Sequence, residues 1–322
     1  MNQMFAMLQQ PGFWAGALAL ATPLLFGVLG TIVSERAGVR NYGIEGIFVA
    51  GALAGFAAVH LGASPWTGVL IAALVGAVFG LGHGVLTGPF GLSQPLTGIA
   101  IMLLAANLSY AVFRLVVPEA AALLPVKGFA PINPAWFAAL PYVGEGLAQF
   151  AAKLTPLSYL AFMLVFVVGY VLRRTPLGVA LRVCSDNPAA LTVQGRSVHA
   201  MRIGADLAGA ALMGTGGACL TLAASQVFSA GMVGGRGWLC LALVICARWR
   251  LSVSLLITLI LGAVEAYEID LRRHIPGIPL GDLLPILPFV LVIVALALFA
   301  RRHYPPPALL VPYAKGRRDR DA

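Results

Sequence analysis

The sequence predicts an all-α polytopic membrane bundle of about nine transmembrane helices, with eight and ten as the limits, plus one short helix in a basic loop. Three observations carry this expectation. Of 322 residues, 60% are hydrophobic and only 10% are charged, against about 25% charged in soluble domains. Mean hydropathy is +0.90. Apolar runs recur along the whole chain, so one membrane domain over 1–322 fits better than an anchored soluble domain.

In chain order the runs lie at 14–33, 44–61, 65–86, 95–117, 155–172, 203–224, 237–249, 251–267 and 283–300. Most approach the ~20 residues that a helix needs to cross a bilayer. The first follows "MNQMFAMLQQPGFW", which has no Lys or Arg and reads as a retained span rather than a cleavable signal. The fourth and fifth are joined by 118–154, rich in proline and aromatics and suited to a short interfacial helix. The seventh and eighth are short and meet through Arg248–Arg250. Small residues such as Gly51 and Gly55, Gly76 and Gly80, and Gly204 through Gly217 permit close helix approach, because lipid gives helices no hydrophobic drive to associate.

Nine crossings place the termini on opposite faces. With the C-terminus cytoplasmic, the inner segments 34–43, 87–94, 173–202, 248–250 and 301–322 hold fifteen of the 21 Lys and Arg residues. The positive-inside rule selects that orientation. The net charge of +9 is then an orientation signal that brings contact with membrane lipid, and it does not call for nucleic acid.

The inner loop 173–202 contains "SDNPAALTVQGR". Asp186 and Asn187 are N-cap types, Pro188 suits the first helical position, and Gly195 is placed to end the helix. Arg173, Arg174, Arg182, Arg196 and Arg202 flank it, and 301–322 forms a second basic segment. Two turns of helix are marginal alone in water, so a partner should support this one.

Catalytic signatures are missing from the sequence. There is no G-x-x-x-x-G-K-[ST] loop, no G-x-S-x-G, and no His/Glu metal constellation. His60, His83, His199, His274 and His303 are dispersed, mostly at span ends. Cys184, Cys219, Cys240 and Cys246 lack metal spacing and read as small apolar core residues. If transport here consumes energy, another chain supplies it.

Polar groups at membrane depth are costly and therefore functional candidates. Asn41, Glu45, Gln94, Asn107, Ser225 and Gln226 fit a pathway for a neutral polar solute, since amides and hydroxyls offer both donors and acceptors. Each has a local alternative: Gln94 capping a helix, Asn107 bonding nearby backbone, Glu45 pairing with Arg40 or Arg36. Trp238 and Phe228 could stack on a ring or simply pack. The glycines around Ile44–Glu45 permit a broken helix beside a cavity.

Three segments resemble the permease subunits of ABC importers of the nucleoside and simple-sugar type, in the family's order. "SERAGVRNYGIEGIFVAGA" resembles their first motif, "PLGVALRVCSDNPAALTVQGRSVHAMRI" their cytoplasmic coupling segment, and "SQVFSAGMVGGRGWLCLALVICARW" a third signature. The match is nearest the basic membrane protein-associated nucleoside branch, and within it the shorter of two permease partners. Departures include Tyr42, Phe48, Ala247 and Leu251–Ser252.

This resemblance implies a transport subunit of a bacterial plasma membrane that does no covalent chemistry and holds no cofactor. ATP and Mg would be bound by partner ATPase subunits. A second homologous permease, forming a heterodimer, and an extracytoplasmic substrate-binding protein are the other implied partners. Arg182, Asp186, Asn187, Pro188 and Gly195 become the residues that couple to the ATPase. A nucleoside or nucleobase is the expected solute, with a pentose, a hexose or a branched-chain-amino-acid-like solute as the alternative. A proton-coupled carrier using Glu45, Asp206 or Glu265, a lipid-handling membrane enzyme and a purely structural partner are the rival classes.

Overall fold

The computed structural model describes residues 10–117, 124–132, 150–151, 154–274, 281–299 and 305–313. The expected interfacial helix within 118–154 and most of the basic segment 301–322 lie outside them. The chain is all-α. Helix α1 is Pro11–Glu35, α2 Ile44–His60, α3 Pro65–Thr87, α4 Gln94–Val116 and α5 Pro156–Arg174. Two shorter helices follow, α6 Pro176–Asp186 and α7 Pro188–Val193. Helix α8, Val198–Cys219, continues as a π-helical turn through Ala224. Helices α9 Arg236–Cys246, α10 Leu251–His274 and α11 Leu287–Phe299 complete the bundle.

The expected count of about nine transmembrane helices is corrected here. Among the described residues, six helices are long and apolar enough to cross a membrane: α1, α3, α4, α5, α8 with its π-helical extension, and α10. At three expected spans the apolar helix is shorter, at Ile44–His60, Arg236–Cys246 and Leu283–Leu298. Helix α2 has 17 residues and α9 has 11. At 1.5 Å per residue they reach about 26 Å and about 17 Å, against a hydrocarbon core of about 30 Å.

The shortening has local causes. Helix α9 begins after Gly234 and Gly235 at φ 58° and 84°, and it gives way to Arg248 and Trp249 at φ 56° and 55°. Left-handed backbone at both ends stops helical propagation. Helix α2 stops at His60, two residues before the left-handed Gly62 at φ 95°, and Pro285 interrupts the chain before α11. Hydropathy counts oily residues and does not register these breaks. The placement of the termini on opposite faces depended on an odd number of crossings, and it does not follow from six.

Helix α8 is the central element, packed against α1, α2 and α3. Phe26, Phe48 and Phe56 are fully buried around it. Glycine makes the close approach possible. A Cβ at Gly51 would run into the Gly214 carbonyl oxygen, and one at Gly30 into that of Gly209. Such small-residue contacts let helix backbones meet and gather dispersion energy without a hydrophobic drive.

Candidate functional site

One end of the bundle is tied by a buried polar centre grown from the turn after α1. Glu35, fully buried, ends that helix. Arg40 donates to it through Nε at 2.6 Å and Nη2 at 3.3 Å. The Trp249 indole N–H also donates to Glu35, and Arg36 Nη2 donates to the Trp249 carbonyl at 2.7 Å. Burial opposes the charge on Arg40, but the adjacent Glu35 carboxylate outweighs it and holds the guanidinium above its ordinary pKa. The left-handed Trp249, set by the turn between α9 and α10, places its ring and carbonyl to serve both partners.

Next along the chain, Asn41 accepts from Gly43 N–H at 2.8 Å and donates from Nδ2 to Asp206 at 3.1 Å. The other Asp206 oxygen lies 2.6 Å from His83 Nδ1, and His83 Nε2 is 3.3 Å from the Gln94 carbonyl. The Gln94 side chain accepts from Arg40 N–H at 2.8 Å and donates to the Gly38 carbonyl at 3.2 Å. This network joins the turn to α3, α4 and α8, and every polar side chain in it is buried and bonded. A fully satisfied buried network fixes geometry, whereas a half-satisfied one would be costly. His83 is thus buried inside the bundle, not at an interface.

Glu45, in the first turn of α2, takes neither arginine. Its Oε1 accepts from Gly235 N–H and its Oε2 from Gly237 N–H, each at 2.8 Å. Those amides open α9. A helix N-terminus has donors without intrahelical partners and a partial positive charge, and a carboxylate answers both. Beside it, Arg236 reaches Glu265 at 3.4 Å, and Tyr42 lies against the half-exposed Trp238 with ring centroids 6.1 Å apart.

The remaining sequence-selected residues are dispersed. Asn107 is exposed on α4, with Nδ2 donating to the Leu103 carbonyl at 2.7 Å. The Ser225 hydroxyl bonds the Leu220 and Val227 carbonyls, both at 2.9 Å, closing the π-helical turn. Gln226 is left-handed at φ 56°, and its carbonyl accepts from Val126 N–H at 2.8 Å. Phe228 is buried against Phe56 and Phe113. A separate recess of about 430 Å³ at the opposite end carries Thr155, Ser158 and Asp270 among its lining.

The 173–202 segment folds as α6 and α7 around a small apolar cluster of Ala180, Cys184, Leu191 and Val198. Asn187 caps α7 by accepting from Ala190 N–H at 3.2 Å, and Gly195 is left-handed at φ 76° just beyond it. Asp186 and Asn187 are exposed, Pro188 and Arg182 are half-buried, and Val193 stands 89% exposed at the tip. Burial lowers the Arg36 pKa, and nearby Asp186 partly offsets it, so this segment and the 36–43 turn share one electrostatic environment.

Residues 305–313 lie across the same segment. Ala308 N–H donates to the Ser185 carbonyl at 2.8 Å, and Arg202 donates to the Val311 carbonyl at 2.8 Å and that of Ala308 at 3.2 Å. Tyr313 Oη lies 2.7 Å from the Thr192 hydroxyl. Sequence reasoning passed over His83, Trp249 and this strap, because their partners are more than a hundred residues away along the chain.

Comparison with known proteins gives this architecture a family. A family described as the permease component of branched-chain amino acid transport systems matches residues 14–296. A putative glucose ABC transporter permease, TsgC13 of Haloferax volcanii, is 33% identical over 80% of this chain and 77% of its own length. The guanosine ABC transporter permease NupQ of Bacillus subtilis is 30% identical, covering 94% of this chain and 96% of its own. The nucleoside ABC transporter permease NupC of Lactococcus lactis is 30% identical with the same coverage. No solved structure matches. The chain therefore belongs to the ABC transporter permeases of the branched-chain amino acid transport system family, as a multi-pass membrane transport subunit of an ABC-type importer and not a catalytic domain.

Proposed function

We propose that this permease passes a nucleoside or nucleobase. The observation that carries the reading is near-end-to-end likeness to two permeases named for guanosine and nucleosides, each spanning 94% of this chain. A simple sugar is the second reading, favoured by the 33% identity to the putative glucose permease over a shorter stretch. In the proposed assembly a second homologous permease completes the pathway. ATPase subunits bind ATP and Mg, and an extracytoplasmic protein delivers the solute.

The proposed orientation puts the Arg40 end in the cytoplasm of a bacterial plasma membrane. Arg36, Arg40, Arg173, Arg174, Arg182 and Arg196 gather there, whereas Arg114 and Arg272 fall at the far ends of α4 and α10 and Lys127 follows α4. That asymmetry is what the positive-inside rule reads. On this reading α7 meets the ATPase. An exposed Val193 on a helix of only six residues supports a partner there, because so short a helix is not stable alone. Arg182, Asp186, Asn187, Pro188 and Gly195 shape that contact.

For the pathway itself, Asn107 carries the argument among the six candidates. Its amide is exposed on a face of α4 that otherwise presents Leu103, Leu104 and Leu108. An amide facing acyl chains is costly, so a water-lined or protein-covered surface is the better environment. Glu45, Asn41 and Gln94 hold the breaks at the start of α2 and α4, and Ser225 and Gln226 shape the turn that follows the π-helical end of α8.

The deciding experiment is uptake by the reconstituted transporter of labelled guanosine, adenosine, ribose and glucose, with and without ATP. Saturable, ATP-dependent uptake of a nucleoside supports the reading. Uptake of only the sugars would replace it with the second.

A further inference from the structure

An apolar cavity of about 840 Å³ forms a groove between α5 and α8. Leu164, Val168 and Leu172 form one wall, and Gly204, Ala208 and Ala211 form its floor. Val33 of α1 and Ala73 of α3 also line it. Almost nothing in it can bond a polar solute, since the Thr215 hydroxyl is already given to the Ala211 carbonyl at 3.0 Å. An unbonded polar guest would face the full cost of desolvation there.

The polarity is confined to one end, where Arg196 and Ser197 line the mouth and are exposed. Arg173 and Arg174, exposed in the last turn of α5, stand at the same end of the bundle. Among the described residues no carboxylate lines the groove. Along α8 it runs from Ala200 to Thr215, about 22 Å at the helical rise. An acyl chain spans one leaflet, half of a hydrocarbon core of about 30 Å, which leaves room for a glycerol and phosphate at the arginine end.

We propose that this groove is a binding site for one anionic phospholipid, its acyl chain along α8 and its phosphate at Arg196. The shape, the apolar length and the single cationic mouth match that ligand and no soluble one. Because Leu177 and Leu181 of α6 also line the groove, the lipid would pack against both the bundle and the segment that precedes α7. This proposal is independent of which solute is carried.

The test uses the assembled transporter in nanodiscs of phosphatidylcholine and phosphatidylglycerol at 3:1, followed by delipidating washes and native mass spectrometry. The wild type should retain phosphatidylglycerol over phosphatidylcholine at about fivefold the bulk ratio of the two lipids, the scale expected for one basic residue near a lipid surface. Gly204→Leu should lose that lipid with an unchanged melting temperature, since a Cβ at Gly204 meets nothing within 4 Å. Ala208→Leu serves as the second groove-filling variant if Gly204→Leu does not fold. Arg196→Gln should keep a phospholipid but lose the preference for the anionic headgroup. No enrichment in the wild type, or undiminished retention in the filled variants, would overturn the proposal. So would efficient crosslinking of Ala208→Cys to another subunit, which would show that protein covers the groove.

Discussion

Replacing Glu45 by alanine removes the acceptors of two backbone N–H groups at once, and its cost can be worked from the contacts. Both bonds are 2.8 Å long and end on a carboxylate. A hydrogen bond to a charged group contributes about 1.5–3 kcal/mol, so the pair contributes about 3–6 kcal/mol. The orphaned amides of Gly235 and Gly237 have no helical partner to fall back on. Glu45→Gln retains one acceptor oxygen and should lose about half of that. A suitable assay is thermal unfolding followed with a thiol-reactive dye, because Cys240 sits fully buried within α9 and becomes reactive when that helix leaves the bundle. Glu45→Ala should release Cys240 well below the wild-type transition, with Glu45→Gln between. In uptake, Glu45→Gln should lower the maximal rate in step with the folded fraction and leave KM unchanged. A melting temperature like that of the wild type in Glu45→Ala would refute the capping argument, and an altered KM with full stability would make Glu45 a solute contact instead.

Further outcomes follow from the same geometry. Gly51→Ala should destabilise the bundle by about 1–3 kcal/mol, the cost of overpacking, since its Cβ collides with the Gly214 carbonyl oxygen. Gly204→Ala should be neutral or stabilising by up to about 1 kcal/mol, and paired melting curves separate the two. Gly195→Val forces a β-branched residue into a left-handed φ of 76°. That costs about 1–2 kcal/mol, and it should leave ATPase activity running while uptake falls severalfold. Asp206→Asn breaks the buried contact to His83, and should lower the melting temperature more than the exposed Asp186→Asn does. Burial raises the Cys184 thiol pKa, so its reaction with iodoacetamide in the folded protein should be slow at pH 7 and quicken as pH rises. A flat rate between pH 7 and 9 would contradict that environment.

Local chemistry made part of this legible in the sequence. Asn187 with Pro188 and Gly195 locates α7 because capping depends on neighbours within a turn. The polar run from Glu35 to Glu45 stood out because its charges are rare in so apolar a chain. What failed was counting crossings by hydropathy, since α9 is oily enough but is cut short by left-handed backbone at Gly235 and Trp249. The partners of Glu45 were also hidden, because backbone amides leave no mark in a residue pattern. His83 looked like any lone histidine near a span end, and only the fold brings Asp206 to it across 123 positions.

The strap at 305–313 has a consequence for biogenesis. The Arg202 guanidinium, 3% exposed in the finished protein, takes its carbonyl partners from residues translated about a hundred positions later. Until α10 and α11 have been inserted and the chain has emerged past Tyr313, the α6–α7 region holds a cation without its acceptors and an apolar cluster without its lid. A ribosome stalled before Pro305 would therefore leave a membrane bundle largely built but its exposed segment unfinished. Completion of the tail is thus the step that closes the α6–α7 region.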